Sequence, residues 1–140
     1  MTAVAATHTE PFLLDADHTL PAQRLAQLHK ALADTLRLQI LRLLRNESFG
    51  VLELCRLVDI RQSALSHHLK VLAKAELVAT RREGNSIFYR RAFITDDDAL
   101  ADLKRAAFDA VDTLEIPSEQ AMQLEQLQQE RSELSLSFFE

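Results

Sequence analysis

The sequence predicts a mainly α-helical fold that carries one small β-hairpin. Apolar residues recur at helical spacing along most of the 140 residues, and the spacing changes to strand-like alternation over residues 77–91. The chain has only two glycines and three prolines, which excludes a β-sandwich with many turns. Its content of 47% hydrophobic and 26% charged residues is typical of a globular protein, and its length indicates one domain.

Two helices are predicted in the first third of the chain. Residues 1–18 are expected to form a flexible arm, because they are mostly small and polar. Pro21 suits the first turn of a helix, with Thr19 as its N-cap, and Asp34 is expected to cap a second helix. The apolar stripes of these two helices are Leu25, Leu28 and Leu32, then Leu36, Ile40, Leu43 and Leu44.

The middle of the chain has the form of a helix-turn-helix. A short helix, Val51–Val58, is followed by a tight connection at Asp59-Ile60 and by a second helix over residues 62–75. The second helix turns Leu65, Leu69 and Leu72 to one side. Its other face carries polar and basic residues, as a helix that enters the DNA major groove does. These residues are Ser63, Ser66, His67, Lys70 and Lys74.

A β-hairpin is predicted directly after this motif. Residues 77–82 and Ser86–Arg91 are rich in β-forming residues and flank Glu83-Gly84-Asn85, where Gly84-Asn85 can take the positive φ angles of a tight turn. Such a ribbon is a wing, so the predicted architecture is a winged helix-turn-helix. The hairpin carries Arg81, Arg82, Arg90 and Arg91.

Two further helices are predicted at the end of the chain. Asp96-Asp97-Asp98 is expected to start the first, because carboxylates are favoured at helix N-termini. The last helix covers residues 118–135, and its leucines at heptad spacing make a seam too short for an independent coiled coil. We expect it to pack on its own domain or on a partner subunit. The predicted organisation is an arm (1–18), a winged helix-turn-helix and dimerisation domain (19–115) and a helical extension (116–140).

Charge is distributed unevenly along the chain. Residues 24–93 hold 13 lysines and arginines against six acidic residues, a net charge of +7. Residues 1–23 carry −3 and residues 94–140 carry −9, so the whole chain has a net charge of −5. A basic middle between acidic ends is compatible with nucleic-acid binding, whereas a net charge of −5 spread evenly along the chain would argue against it.

The segments ALADTLRLQILRLL, LCRLVDIRQSALSHHLKVLAKAELV and RREGNSIFYR occur in this order and resemble the ArsR-type family of bacterial winged helix-turn-helix regulators. The resemblance covers residues 30–91 without gaps. It implies a homodimer that binds double-stranded operator DNA, acts as a repressor and leaves the DNA when an effector binds. It also implies that the first and last helices of the core form the dimer interface, which here corresponds to Leu25, Leu28, Leu100, Leu103, Ala107, Val111 and Leu114.

The same resemblance assigns the DNA contacts. The outer face of the second helix of the motif would read bases through Gln62, Ser63, Ser66 and His67. Lys70 would hold a phosphate, and Arg81, Arg82 and Arg90 of the wing would reach phosphates or a minor groove. His68 is expected either to pack against the wing or to touch DNA. Glu76 stands where the family usually has glycine, so a left-handed backbone there would be strained.

No metal site and no cofactor are predicted. The family's Cys-X-Cys site corresponds here to Cys55 and Leu57, and one thiolate does not make a site for arsenite, lead or cadmium. Residues 96–114 contain no histidine, so the site that other relatives carry there is absent. Cys55 is expected to be a small core residue. Zinc bound by His18, His29 and Cys55 across subunits remains the alternative.

Other functions are weighed from the remaining residues. The segment QQERSELSLSFFE resembles the part of some longer relatives that leads into a methyltransferase domain, which favours an adenosyl metabolite as a possible small-molecule effector. The acidic tail favours a protein-interaction module instead. An enzyme is rejected, because Ser66 and His67 have no triad geometry and Asp96-Asp97-Asp98 is better explained as a helix start. No apolar run reaches the length of a membrane span and no signal peptide is evident, so a cytoplasmic protein is expected.

Overall fold

The computed structural model describes residues 21–137, and the predicted arm, Thr19, His18 and residues 138–140 lie outside them. The mainly helical fold with a hairpin is confirmed. The domain boundaries stay a prediction. None of the helices in the described part is both long and apolar enough to cross a membrane.

The elements of the fold, in chain order, are α1 (Pro21–Leu32), α2 (Thr35–Leu43), β1 (Phe49–Gly50), α3 (Val51–Val58), α4 (Gln62–Lys74), β2 (Val78–Glu83), β3 (Ser86–Arg91), α5 (Ala101–Val111) and α6 (Ser118–Ser137).

The first two helices are joined by polar contacts at their meeting point. The Asp34 carboxylate caps α2 as predicted, accepting hydrogen bonds from the backbone N–H groups of Leu36 (2.9 Å) and Arg37 (3.1 Å). The side chain of Arg37 is buried and donates to the carbonyls of Ala31 (2.9 Å) and Lys30 (2.7 Å). These carbonyls belong to the last turn of α1, so one arginine satisfies acceptors that the helix leaves open.

The core forms where α2, α3 and α4 pack together. The inward residues predicted for the helix-turn-helix are all buried, and a left-handed Asp59 (φ 54°) makes the tight connection between α3 and α4. Burial of these leucines removes a large apolar area from water and so supplies most of the driving force for folding. The core leucines of α3 and α4 are Leu54, Leu57, Leu65, Leu69 and Leu72.

The sheet has one strand more than the predicted hairpin. Phe49 is buried and pairs with Tyr89, which places β1 beside β3 in the order β1-β3-β2. Glu83 pairs with Ser86, so the turn has two residues rather than the predicted three. Gly84 has φ 62° and is the only positive-φ residue of the turn, the pattern of a type II′ hairpin.

The acidic triplet lies before α5 rather than inside it. We expected the helix to start at Asp96-Asp97-Asp98, but α5 begins at Ala101. Asp98 accepts a hydrogen bond from the Leu100 N–H and forms ion pairs with other elements, which keeps it outside the helix. The last helix, α6, packs along α3 of its own chain with Leu127 in the core, while Leu134 is exposed.

Candidate nucleic-acid interface

One side of α4 packs in the core, and the opposite side is exposed to solvent. Its leucines are fixed in the core, so the side chains one turn apart on the opposite side point to solvent. The predicted base-reading and phosphate-binding residues therefore share one surface, on which Ser66 alone is half-buried. The residues of this surface are Gln62, Ser63, Ser66, His67 and Lys70.

His68 is half-buried and contacts α2. Its Nδ1 is 3.1 Å from Nη1 of Arg37 on α2. A guanidinium can only donate, so Nδ1 of His68 is the acceptor of this hydrogen bond. Arg37 is not one of the apolar residues of α2, yet its side chain is only 10% exposed. The histidine that follows His67 thus joins α4 to α2.

The arginines of the wing differ in their surroundings. Arg81 and Arg82 are exposed, and Arg81 pairs with Glu83 (3.1 Å) and lies over the Phe88 ring (5.5 Å). Arg90 pairs with Ala79 in the ladder, four residues after Ser86, and so lies about 13 Å from the turn along β3. The turn end of the wing therefore carries Arg81 and Arg82, whereas Arg90 lies at its base.

Arg91, also at the base of the wing, is engaged by its own chain. It makes a bidentate pair with Asp112 (2.6 and 3.2 Å), donates to the Leu41 carbonyl (2.8 Å) and lies over the Phe108 ring (4.8 Å). The hydrogen bonds from Arg91 hold the pKa of Asp112 below its ordinary value, although burial opposes this shift. Arg91 therefore fixes the wing to α2 and α5.

A cluster of four charged side chains lies at the end of α4. Glu76 follows the helix with φ 59°, the left-handed conformation considered from the sequence. Arg24 of α1 donates to Glu76 (3.1 Å) and to Asp98 (2.9 Å). Lys104 of α5, whose side chain is 2% exposed, contacts Asp98 (2.5 Å) and Glu76 (3.4 Å). The cluster thus joins α1 and α5 to the end of the predicted recognition helix.

The carboxylate of Asp98 is ionised in this cluster at any ordinary pH. Burial alone would raise its pKa, but hydrogen bonds from Lys104, the Leu100 N–H and Arg24, together with the charge of Lys104, lower the pKa to about 2. This cluster was not predicted from the sequence. The signal for it was Glu76, an acidic residue at a position where the backbone favours glycine.

Comparison with known proteins identifies the family. The sequence profile described as "Bacterial regulatory protein, arsR family" matches residues 34–80, from the cap of α2 into β2. The arsenical resistance operon repressor of Staphylococcus aureus is 39% identical over 84 residues, which are 58% of this chain and 78% of that protein. The transcriptional regulator MJ1325 of Methanocaldococcus jannaschii is 38% identical over 54% of this chain and 82% of its own length. The chain belongs to the ArsR family.

Solved structures agree with this assignment. A possible transcriptional regulatory protein (fragment 1–100) from Mycobacterium bovis has a TM-score of 0.54 and 30% identity, over 64% of this chain and 88% of that one. NolR from Sinorhizobium fredii has a TM-score of 0.51 and 30% identity, over 70% and 99%. The predictions of a winged helix-turn-helix and of a DNA-binding transcription regulator are therefore confirmed.

The ArsR-family match covers part of the chain. The SmtB homolog of Synechocystis, described as a transcriptional repressor, is 35% identical over 51% of this chain, which spans about half (54%) of that relative. The relatives named here are regulators of transcription and not enzymes.

The residues predicted to form the ArsR-type dimer interface divide into two groups. Leu28 and Val111 are 1% and 3% exposed in the single chain, so they belong to its own core. Leu100 and Ala107 are half-buried. The predicted interface residues that remain exposed on one copy are Leu25, Leu103 and Leu114.

The cysteine of this ArsR-family chain is half-buried on α3. Burial raises the pKa of the Cys55 thiol, so the thiol is protonated at neutral pH. His29 is exposed, with Nδ1 2.8 Å from the Leu25 carbonyl oxygen. Within residues 21–137 no three His, Cys, Asp or Glu side chains are grouped closely enough to hold a metal ion.

Proposed function

We propose that this chain is a cytoplasmic, homodimeric repressor that places α4 of each copy in the major groove of one operator. The observation that carries the proposal is the solvent face of α4, which presents neutral hydrogen-bonding groups beside a lysine while the rest of the helix is fixed by the core. Neutral polar side chains suit base edges, and lysine and arginine suit phosphates. We propose no catalytic role for the chain.

The contacts are assigned by placement. Gln62, Ser63, Ser66 and His67 read bases, because they share the exposed face of α4. Lys70 lies further along the same face and binds a phosphate. Arg81 and Arg82 extend the contact to flanking phosphates or a minor groove. Arg90 is left out of this set, because it lies at the base of the wing.

Dimerisation is proposed from the exposed leucines of α1 and α5. Leu25 and Leu103 are large apolar side chains that one copy leaves partly in water, at positions where the family pairs its subunits. Repression is proposed because the relatives include the Staphylococcus aureus repressor and the biofilm growth-associated repressor of Agrobacterium fabrum, which is 46% identical over 71 residues. HlyU of Vibrio cholerae, 45% identical over 62 residues, is described as an activator. Repression and activation are therefore distinguished by a separate measurement.

The effector is proposed to be a small molecule and not a thiolate-bound metal. The support is the chemistry of Cys55, a single protonated thiol without a second sulfur ligand in the chain.

The experiment is a fluorescence-anisotropy titration of the full chain on the DNA upstream of its own gene, with a scrambled duplex as control. We expect two chains per duplex and tighter binding to the upstream DNA. A dimer using Lys70, Arg81 and Arg82 of each copy makes about six phosphate contacts, so affinity should fall roughly a thousandfold between about 50 and 200 mM salt. Equal affinity for both duplexes would contradict the proposal and favour the interaction module. Run-off transcription from the same DNA then separates repression from activation.

A further inference from the structure

A cleft of about 440 Å³ opens beside the base of the wing, away from the proposed DNA contacts. It lies between the end of α2, the end of β3 and α5. Its size is in the range of small-molecule sites. The residues that line it and enter the argument are Leu44, Arg45, Glu47, Arg90, Phe93 and Phe108.

The cleft has more guanidinium groups than carboxylates to pair with them. Within residues 21–137, the Arg90 guanidinium donates only to the Arg91 carbonyl (2.9 Å) and makes no ion pair. Arg45 lies 3.6 Å from Asp112, whose two oxygens already accept hydrogen bonds from Arg91. The excess charge is positive, so an anion is favoured there.

The acid that lines the cleft does not cancel this charge. The Glu47 carboxylate is turned towards α6, where it accepts hydrogen bonds from Arg131 (3.4 Å) and from the Gln128 amide. Arg131 balances the charge of Glu47, so Glu47 does not neutralise the three arginines that line the cleft, Arg45, Arg90 and Arg91.

One part of the cleft wall is apolar and aromatic, beside its charged and polar residues. Leu44 and Phe108 belong to this part, and Phe93 belongs to it with 83% of its surface exposed. The Arg90 guanidinium lies over the Phe93 ring, 4.2 Å from its centre. A planar guanidinium beside apolar walls suits a ligand with a carboxylate at one end and a flat apolar body at the other.

We propose that this cleft binds a small organic carboxylate of this kind. Binding would bring together Arg90 on the wing and Phe108 on α5, the helix assigned to dimerisation. Its use as the effector site rests on the proposed function, whereas binding of the carboxylate does not. Failure of carboxylate binding can be told apart from failure of the proposed function, because the binding test contains no DNA.

The test is isothermal titration calorimetry of the full chain with benzoate as the probe. Benzamide has the same ring without the charge, acetate has the charge without the ring, and inorganic phosphate is an anion without an apolar body. We expect saturable benzoate binding at least about tenfold tighter than that of benzamide, which lacks the carboxylate that accepts hydrogen bonds from arginine. It should also be at least about tenfold tighter than that of acetate, which lacks the apolar ring. Absence of saturable benzoate binding, or equal binding of phosphate, would overturn the proposal.

Two matched variants locate the site. Arg90→Ala should weaken benzoate binding at least about tenfold. Arg105→Ala removes the same charge from α5 at a residue outside the cleft, paired with Asp96, and should leave benzoate binding within about twofold of wild type. Phe93→Ala should weaken binding severalfold, with thermal melts to show that each variant folds. Equal benzoate affinities for Arg90→Ala and Arg105→Ala would place the ligand elsewhere.

Discussion

Nη1 of Arg37 lies 3.1 Å from Nδ1 of His68, and this contact ties α4 to α2. The same guanidinium donates to two carbonyls at the end of α1. One buried side chain therefore joins three helices. His67, the next residue along α4, is exposed. Two adjacent histidines of one helix thus have different surroundings and, we expect, different roles.

Replacement of each histidine by alanine should separate these roles. His68→Ala removes an acceptor from a buried guanidinium and should lower the free energy of unfolding by about 1–3 kcal/mol. His67→Ala should change stability by less than about 0.5 kcal/mol. It should weaken specific DNA binding by about 1–3 kcal/mol per half-site. Urea unfolding and anisotropy titrations measure both quantities. A larger loss of stability in His67→Ala than in His68→Ala would show that the assignment is reversed.

Asp98→Asn should destabilise the fold at neutral pH. The carboxyl has a folded pKa of about 2, lowered from 3.8, so its stabilising contribution is present above about pH 4 and is lost as the pH falls towards 2. The shift corresponds to about 2 kcal/mol at pH 7, and the variant also leaves buried Lys104 with a weaker partner.

The stability difference between wild type and Asp98→Asn should therefore shrink as the pH is lowered below about 4. Asp97→Asn is the matched control, because Asp97 is the residue next to Asp98 and its side chain is exposed. Denaturant unfolding at several pH values measures the difference. A difference independent of pH would mean that the ion pairs of Asp98 do not stabilise the fold.

Glu76→Gly should be more stable than Glu76→Ala by about 1 kcal/mol. Both variants lose the contacts to Arg24 and Lys104, but only alanine keeps a side chain at φ 59°. Both variants lose the same ion pairs, so the difference between their free energies of unfolding measures the cost of a left-handed backbone at residue 76. Thermal unfolding of the two variants gives the difference. Equal stabilities would show that the left-handed backbone costs little here.

The wing arginines should differ in their effect on the salt dependence of DNA binding. Arg82→Ala removes two phosphate contacts from a dimer and should reduce the slope of log affinity against log salt by about 2. Arg90→Ala should leave this slope unchanged, because Arg90 lies at the base of the wing. A slope reduced equally by both substitutions would return Arg90 to the set of DNA contacts first expected from the sequence.

Local signals in the sequence predicted the helix-turn-helix and the exposed face of α4 well. The Asp34 cap and the face of α4 depend on spacings within one or two turns, which periodicity reports directly. The strand β1 was missed, because two residues have no period and Phe49 pairs with Tyr89 forty residues away. The start of α5 was placed too early, because Asp98 forms ion pairs with Arg24 and Lys104 instead of entering the helix.

Periodicity also could not separate a core leucine from an interface leucine. Leu25 and Leu28 follow the same stripe of α1, yet Leu28 is buried in its own chain and Leu25 is exposed. An apolar stripe predicts that a side chain leaves water but not which surface covers it. Tertiary packing decides this, as it decided the burial of Arg37.

The most direct test of the account is a hydroxyl-radical footprint of the full chain on the DNA upstream of its gene. The account predicts two protected segments on one face of the duplex, centred about one helical turn or a multiple of it apart, because two α4 helices related by a two-fold axis enter successive major grooves. Both segments should disappear together in His67→Ala at a protein concentration that saturates wild type. A single protected segment, or a footprint that His67→Ala leaves intact, would contradict it.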